Sequence, residues 1–427
     1  MTEYDVLVVG AGILGLSTAC YIKLRNPKLR VLVVDKQGAA GRGSTAKSAA
    51  AFRCFFSSGT NYALANSSVE FYRDLQQDLE VDLKLRWCGY LWCFTEETYR
   101  KLHPVLKDLT AIGCEYRECE GEDIAKTLNM RTKFDEEEAR NLRLGNVYTG
   151  IFVPKAGLIS VPSLVAFYEA EYLKMGGEVQ YNAEVTAFIV EPHAPQGLPN
   201  EPYFWQDAAV KGVKTNRGDI RAKKTVVAAG PWAAQLLDSV GVECFIKPKK
   251  RQVFSVKANT DALKKLLFTG EFSKAGCLPL TILPHPSVYI RPDLSGDAFW
   301  VSYADDFPRA FKLEDKPQPE ENFYKHGLLP ITAKYFPQFT ESEPSAKFAG
   351  LYEINTLDGQ PVVFEENGLL VVGGASGSGI MKADALGRIA AALYFGEEFA
   401  LLYGDHAFKV SDLGLKNRNI EPEKLVI

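Results

Sequence analysis

Residues 4–35 read YDVLVVGAGILGLSTACYIKLRNPKLRVLVVD and decide the fold of this 427-residue chain. The apolar run from Tyr4 to Val9 predicts a buried strand, and the glycine-rich turn after it leads into a small and apolar helical pattern, Leu16 to Leu24. A second apolar run, Val31 to Val34, predicts the next strand. Strand, glycine turn, helix and strand in this order form the first unit of a dinucleotide-binding α/β fold.

The residues of this turn suit a bound pyrophosphate. Gly10 makes the tight turn, Gly12 lets the backbone approach the phosphates, and Gly15 lets the helix pack close to the strand. The N-terminus of the helix then faces the phosphates, because its amides and its dipole favour negative charge. Asp35 ends the second strand, where a carboxylate accepts hydrogen bonds from ribose hydroxyls and favours a ribose without a 2′-phosphate.

The chain after Asp35 favours a flavin over a nicotinamide. Residues 36–56 read KQGAAGRGSTAKSAAAFRCFF and predict a glycine-rich loop followed by a small-residue helix. A nicotinamide enzyme would normally continue into another strand and helix, whereas small residues let backbone pass beneath a wide, flat ring.

A second strand, glycine turn and helix stands near the other end of the chain. LLVVG (369–373) precedes GASGSG (374–379) and a helical pattern from Ile380 to Phe395. The amides of this turn and the positive end of the helix dipole would stabilise negative charge on a ring edge. A reduced flavin carries such charge at its N1–C2=O edge.

Four motifs together, in this order, resemble the D-amino-acid oxidase (DAO) superfamily of FAD-dependent oxidoreductases. They are the N-terminal glycine motif, GSTAKSAAAFR (43–53), VVAAGPWA (226–233) and GGASGSGI (373–380). The nearest branch looks like the sarcosine oxidase, dimethylglycine dehydrogenase and glycine oxidase group. The resemblance covers essentially the whole chain, and it implies a Rossmann-like FAD-binding domain with an antiparallel-sheet substrate domain inserted in pieces. The expected fold class is α/β, α+β overall.

The sequence can be divided on this plan into five segments. The FAD-binding domain takes residues 1–84, 147–246 and 337–427, and the substrate domain takes 85–146 and 247–336. The alternating, aromatic pattern from Lys247 to about Phe336 predicts an antiparallel sheet with one face toward the flavin. The charged segment from Lys312 to Asn322, with its two prolines, is interpreted as a solvated loop.

The motifs and the resemblance together predict the residues that contact FAD. They are Gly10, Gly12, Ile13, Leu14, Gly15, Asp35, Lys36, Ser44, Thr45, Lys47, Ser48, Ala49, Val185, Ala229, Gly230, Trp232, Gly350, Gly377, Ser378, Gly379, Ile380 and Met381.

The resemblance implies oxidation of a C–N bond, or in related members a C–O bond, by hydride transfer from substrate carbon to flavin N5. An anionic substrate calls for an arginine that binds its carboxylate with two hydrogen bonds. Arg53 follows the predicted small-residue helix, and Arg291 shares a strand face with Tyr289, so both arginines are candidates. Tyr289, Met381 and Lys382 complete the set of candidate catalytic residues. Lys47 is expected to contact the polar edge of the ring rather than the substrate.

The chain departs from this group at two positions. Met381 stands where monomeric sarcosine oxidases carry a substrate-contacting lysine, and Lys382, one residue on, would point about 100° away around an α-helix. Gly350 stands near the place of the cysteine that attaches flavin in those oxidases. FAD is therefore expected to be non-covalent, and Cys54, beside the flavin segment, is interpreted as a packing residue.

The leading hypothesis is FAD-dependent oxidation of a small amino acid, a secondary or N-methylated amine of the sarcosine, dimethylglycine or proline type. Two alternatives stay open: an FAD-dependent 2-hydroxy acid dehydrogenase acting on lactate or 2-hydroxyglutarate, and a flavoprotein subunit or assembly factor of a larger complex. The electron acceptor, whether oxygen, a quinone or a carrier protein, is also open.

Composition limits the remaining classes. Apolar residues make up 46% and charged residues 24% of the chain, which disfavours disorder. A net charge of −4 without a dense basic run disfavours nucleic-acid binding. No apolar stretch is long enough to span a membrane, although peripheral contact is possible, and the start lacks a secretion signal. We expect a cytoplasmic location.

The eight cysteines form no metal-binding pattern with the five histidines, so no metal site is expected. They are interpreted mainly as buried apolar side chains, with a Cys88–Cys93 or Cys114–Cys119 disulfide as the alternative.

Overall fold

A computed structural model, which describes residues 3–425, places most of the strands in two sheets of eight strands each. The first sheet has the order β17-β18-β11-β1-β2-β8, with β10 and then β9 added beside β11. Its strands are β1 (Tyr4–Val9), β2 (Val31–Val34), β8 (Glu178–Gln180), β9 (Val185–Pro192), β10 (Ala208–Thr215), β11 (Gly218–Val227), β17 (Val362–Glu366) and β18 (Leu369–Gly373). Because β1 pairs in parallel with both β2 and β11, this is the predicted dinucleotide-binding sheet.

Ten α-helices lie in the described part of the chain. They are α1 (Ile13–Arg25), α2 (Gly59–Gln77), α3 (Glu96–Ala111), α4 (Gly121–Leu128), α5 (Glu137–Asn141), α6 (Val161–Lys174), α7 (Ala233–Asp238), α8 (Asp261–Leu267), α9 (Leu329–Tyr335) and α10 (Ala383–Tyr394).

Both faces of the central strands are covered, which explains their continuous apolar runs. Val6 and Val8 of β1 pack into one cluster with the apolar residues of α1, α6 and α10. Leu7 and Val9, which point the other way, pack with residues of β9, β10 and α7. Alternate residues of the same strand therefore enter two different cores.

The second sheet has the order β16-β12-β15-β14-β13-β4-β6-β5 and is antiparallel except at the β13–β4 pair. Its strands are β4 (Tyr90–Phe94), β5 (Arg117–Glu120), β6 (Thr149–Val153), β12 (Ile246–Lys257), β13 (Leu280–Ile282), β14 (Tyr289–Asp293), β15 (Ala298–Ser302) and β16 (Pro344–Asn355). Two ribbons complete the set: β3 (Ala51–Arg53) with β7 (Ala156–Leu158), and β19 (Phe399–Leu401) with β20 (Ala407–Lys409).

The second sheet crosses two of the predicted segment boundaries. β6 joins it although it follows residue 147, and β16 joins it although it follows residue 337. The strands predicted between Lys247 and Phe336 also stop earlier than the alternating pattern indicated: residues 303–336 form a loop, a π-helical turn (Phe323–Leu328) and α9. Pro308, Pro317 and Pro319 interrupt that stretch, and proline cannot supply a ladder hydrogen bond.

The prediction of a small-residue helix after the glycine-rich loop is wrong. Ser44–Lys47 form a single 3₁₀ turn, and the chain then becomes strand β3. Ala50 has a φ of 52°, which an α-helix does not allow. Pairing with β7 supplies the backbone hydrogen bonds instead, and it fixes Arg53 at the end of a buried strand.

The Lys312–Asn322 segment is largely exposed, as predicted for a solvated loop, and none of its residues is buried. Asp315 forms an ion pair with Lys36 at 3.0 Å and accepts a hydrogen bond from the Trp232 indole at 3.2 Å. These contacts link the segment to the first sheet because Lys36 follows β2 and Trp232 follows β11.

All eight cysteines are free, so neither alternative disulfide forms; seven are buried and Cys119 is half-buried. No helix within residues 3–425 has the length and apolar character needed to cross a membrane.

Candidate active site

A cavity of about 1010 Å³ is bounded by both sheets, which is the upper end of the range for small-molecule sites. Its walls come from the carboxyl ends of β1, β2 and β11, from β12 and β16, and from both glycine turns. Ligands of α/β sheets bind at the carboxyl ends of the strands, so the cavity lies where the fold predicts a cofactor.

The N-terminal glycine turn needs two of its glycines for backbone packing. Gly10 has a φ of +111°, and a Cβ there would lie 2.4 Å from the Ala228 carbonyl oxygen. A Cβ on Gly15 would lie 1.9 Å from the Gly10 carbonyl oxygen. Gly12 differs, because its nearest contact would be the Thr45 hydroxyl at 3.3 Å and it lines the cavity. The absent side chain at Gly12 therefore leaves room for a ligand.

Asp35 stands beside this turn, at the end of β2. Its Oδ2 accepts a hydrogen bond from the Ala11 amide and its Oδ1 from the Gln37 amide, both at 2.7 Å. Burial raises the pKa of Asp35, and these two hydrogen bonds oppose that rise. The carboxyl group lines the cavity, in the position expected for a ribose contact.

The Ser44–Lys47 turn packs closely against β16. Ser44 donates a hydrogen bond to the Leu351 carbonyl at 2.7 Å. A Cβ on Gly350 would lie 2.5 Å from the Lys47 Cβ. Any side chain at position 350, including a cysteine, would collide with Lys47.

The C-terminal glycine turn faces the same cavity. Gly377 has a φ of +86°, and a Cβ there would lie 2.3 Å from the Tyr352 ring. The Glu353 carboxylate accepts a hydrogen bond from the Ala375 amide at 3.4 Å, while its buried Oε2 has no partner within the described residues. Burial raises the pKa of Glu353 to about 7. Such an unpartnered oxygen beside a cavity-lining turn fits a site built for a polar ligand.

Arg53 lies in the part of the cavity wall that also contains Phe56, Tyr90 and Leu425. It is only 6% exposed, and its guanidinium donates to the Phe55 carbonyl at 2.7 Å and to the Leu425 carbonyl at 2.8 Å. The rings of Phe56 and Trp92 lie 4.2 Å and 4.9 Å from it. Burial lowers the pKa of Arg53. No carboxylate of the described residues forms an ion pair with it at 4.0 Å or less.

Lys382 lies beside Arg53, contrary to the expectation that it would point away. Its Nζ donates to Asn61 Oδ1 at 2.5 Å and to Ser378 Oγ at 2.7 Å, and the side chain is 1% exposed. Burial, and then the charge of Arg53, lower the pKa of Lys382 to about 7. Ile380–Lys382 form a 3₁₀ turn, and both Met381 and Lys382 line the cavity.

The predicted residues divide clearly by position. All predicted FAD contacts except Gly15 line the cavity, as do Arg53, Tyr289, Met381 and Lys382. Arg291 is not among the lining residues: it is buried, with its guanidinium 4.2 Å from the Trp300 ring and one hydrogen bond to the Pro292 carbonyl. Arg53 is therefore the better candidate for a carboxylate ligand.

Several lining residues were missed by sequence reasoning. Lys249, Arg251 and Val253 line the cavity from alternate positions of β12, and the period-two pattern of that strand could have identified them. Asn61, Glu423 and Leu425 also line it, but no local motif marks them.

Comparison with known proteins agrees with this geometry. Residues 5–393 match the family model described as DAO, FAD dependent oxidoreductase. FAD-dependent oxidoreductase domain-containing protein 1 of Xenopus laevis is 24% identical over 91% of this chain and 78% of its own. Glycine oxidase of Geobacillus kaustophilus is 25% identical over 93% of this chain and 94% of its own.

One solved structure illustrates the shared fold. The crystal structure of L-proline dehydrogenase from P. horikoshii aligns with a TM-score of 0.72 at 20% identity, over 92% of this chain and 94% of that chain.

Proposed function

Because the chain belongs to the DAO family of FAD-dependent oxidoreductases, we propose that it oxidises a small amino acid carrying a secondary or N-methylated amine. The observation that carries this proposal is the pair of buried cations, Arg53 and Lys382, at the aromatic end of the cavity. Two buried cations with few anionic partners favour an anionic ligand, because binding it offsets the cost of burying their charge.

Different residues of the chain would bind the cofactor and the substrate. The two glycine turns and Asp35 would hold FAD, which when bound supplies the hydride acceptor for the reaction. Arg53 and Lys382 would hold the substrate carboxylate next to the C-terminal glycine turn, since Lys382 Nζ donates to Ser378 Oγ at 2.7 Å. Tyr90 and Tyr289, whose pKa values are raised by burial, stay neutral there and keep bulk water away from the substrate carbon.

The similar proteins support the same class of substrate. Glycine oxidase and L-proline dehydrogenase are both named for amino acids. The second is named for a cyclic secondary amine, which matches the substrate type proposed here.

Anaerobic mixing with a panel of acids tests the proposal. Sarcosine, dimethylglycine, proline and glycine would be compared with lactate and 2-hydroxyglutarate at matched concentrations, with loss of the oxidised flavin absorbance as the signal. We expect bleaching by one or more of the amino acids and none by the hydroxy acids. Bleaching by hydroxy acids alone would assign the protein to 2-hydroxy acid oxidation instead.

A further inference from the structure

The C-terminal segment, residues 418–425, forms one wall of the active-site cavity. Arg418 anchors it through two hydrogen bonds to Asp358 at 2.6 and 2.7 Å. Gln360 donates to the Glu421 carbonyl at 2.6 Å, and Leu425 is 3% exposed in the apolar cluster around the second sheet. These contacts fix the segment, so Glu423 and Leu425 belong to the cavity wall.

Glu423 is held as an ionised carboxylate within this wall. Its Oε1 accepts from the Ser57 amide at 2.9 Å and the Ser57 hydroxyl at 2.8 Å. Its Oε2 accepts from Asn61 Nδ2 at 3.0 Å. Burial opposes ionisation, but the hydrogen bond from Asn61, the charge of Arg53 and the bonds from Ser57 together lower the pKa of Glu423.

Glu423 is also coupled to both cations of the site. Asn61 joins it to Lys382, because the same amide accepts from Lys382 Nζ at 2.5 Å. The charge of Glu423 opposes the burial that lowers the pKa of Arg53 and of Lys382, and it therefore favours the charged form of each. One acidic side chain therefore offsets part of the charge of two basic ones.

We propose that Glu423 is a specificity-determining residue that restricts the active site to substrates with a single carboxylate. This inference rests on the proposed function, in which Arg53 and Lys382 bind the substrate carboxylate. Once one carboxylate occupies that place, a second one nearby would meet the negative charge of Glu423 in a poorly solvated pocket. Like charges in such a pocket repel strongly, so dicarboxylates are rejected.

Binding of butyrate and succinate to the FAD-loaded protein tests the proposal, because the two share a four-carbon chain and differ in charge. Dissociation constants would be measured at neutral pH from the perturbation of the flavin absorbance. Wild type should prefer butyrate. Glu423→Gln should improve succinate binding relative to butyrate by on the order of tenfold, the effect of about 1.4 kcal/mol. Glu421→Gln, on the exposed part of the same segment, should keep the wild-type preference.

Two further variants show whether a change of selectivity in Glu423→Gln comes from the lost charge or from a folding defect. Glu423→Asp keeps the charge and should keep the preference for butyrate. Lys382→Met removes a positive charge and should weaken succinate binding more than butyrate binding, so it carries the test if Glu423→Gln does not fold.

Unchanged selectivity in folded Glu423→Gln would overturn the proposal while leaving the carboxylate site intact, whereas unchanged selectivity in Lys382→Met would overturn the proposal together with the role of Lys382 in that site. Failure of wild type to bind either acid would overturn the proposed carboxylate site and this inference together.

Discussion

At the scale of single residues, Gly12 decides whether the cavity can hold a dinucleotide. Its Cβ position is open except for the Thr45 hydroxyl at 3.3 Å, so Gly12→Val should fold yet fill the space needed by the pyrophosphate. We expect the variant to purify without FAD, measured as flavin released per protein chain. Gly270→Val, at an exposed position with open space, serves as the control and should stay yellow. A yellow Gly12→Val protein would refute the cofactor site.

Lys382 gives the site a pH dependence of defined sign. Burial lowers its pKa to about 7, so Lys382 is cationic below that pH and loses its charge as the pH rises through it. Binding of butyrate should therefore weaken as the pH is raised across neutrality. Lys382→Met should bind more weakly at low pH and lose this dependence, whereas Lys382→Arg should stay charged and bind at high pH as well. An unchanged pH profile in Lys382→Met would assign the titration to another group, with Glu353 the first to test.

Local residues of the site were predictable, and distant ones were not. Gly12 and Asp35 belong to one continuous motif whose spacing follows from strand and helix geometry. Lys382 was expected to point away from the cavity, whereas hydrogen bonds to Asn61 and Ser378 hold its ammonium group in the cavity wall. Glu423 reaches Ser57 across 366 positions of sequence, and only the assembled fold creates that contact.

At the scale of secondary-structure elements, a buried polar cluster ties three helices together. Asp384 of α10 is fully buried. It accepts one hydrogen bond from Tyr21 of α1 and another, at 3.0 Å, from Tyr168 of α6. It also forms an ion pair with Arg388 at 2.7 Å. Asp384→Ala leaves Arg388 without its partner, so the free energy of unfolding should fall by about 3 kcal/mol. Tyr168→Phe removes one hydrogen bond and should cost about 1 kcal/mol. Denaturant unfolding measures both, and equal effects would contradict this ranking.

The contact between β16 and the Ser44–Lys47 turn predicts that FAD is held without a covalent bond. Gly350 allows that contact because it has no side chain. A Cβ there would lie 2.5 Å from the Lys47 Cβ, so a cysteine that could bind the flavin does not fit at this position. Acid precipitation should therefore release the flavin colour into the supernatant. A yellow pellet would show a covalent link, and peptide mapping around Cys54 would be the first check.

Elements with strong apolar runs were predicted well, and elements set by tertiary pairing were not. Tyr4–Val9 and Leu369–Gly373 are strands as expected, because both lie in the covered interior of the first sheet. Ala51–Arg53 is a strand because β7 lies beside it, although the run of alanines at 49–51 suits a helix better than a strand.

At the scale of the whole molecule, the two sheets bring motifs from both ends of the chain to one cavity. Gly12 and Gly377 are separated by most of the sequence, yet both line it. In the proposed arrangement the α/β sheet binds the cofactor, and Tyr90 and Tyr289 of the antiparallel sheet, which line the same cavity, cover the substrate. The presence of an α/β sheet and an antiparallel sheet was predictable from the order of the motifs. The joining of β6 and β16 to the second sheet was not, because it depends on pairing across distant segments.

The most direct test of the account is anaerobic reduction of the bound FAD by matched pairs of amines with and without a carboxylate. Proline would be compared with pyrrolidine, and sarcosine with dimethylamine, by following the loss of oxidised flavin absorbance after rapid mixing. We expect at least one of the acids to reduce the flavin while its decarboxylated partner does not, because Arg53 and Lys382 must bind the carboxylate. Equal reduction by an acid and its partner amine, or reduction by the amines alone, would contradict it.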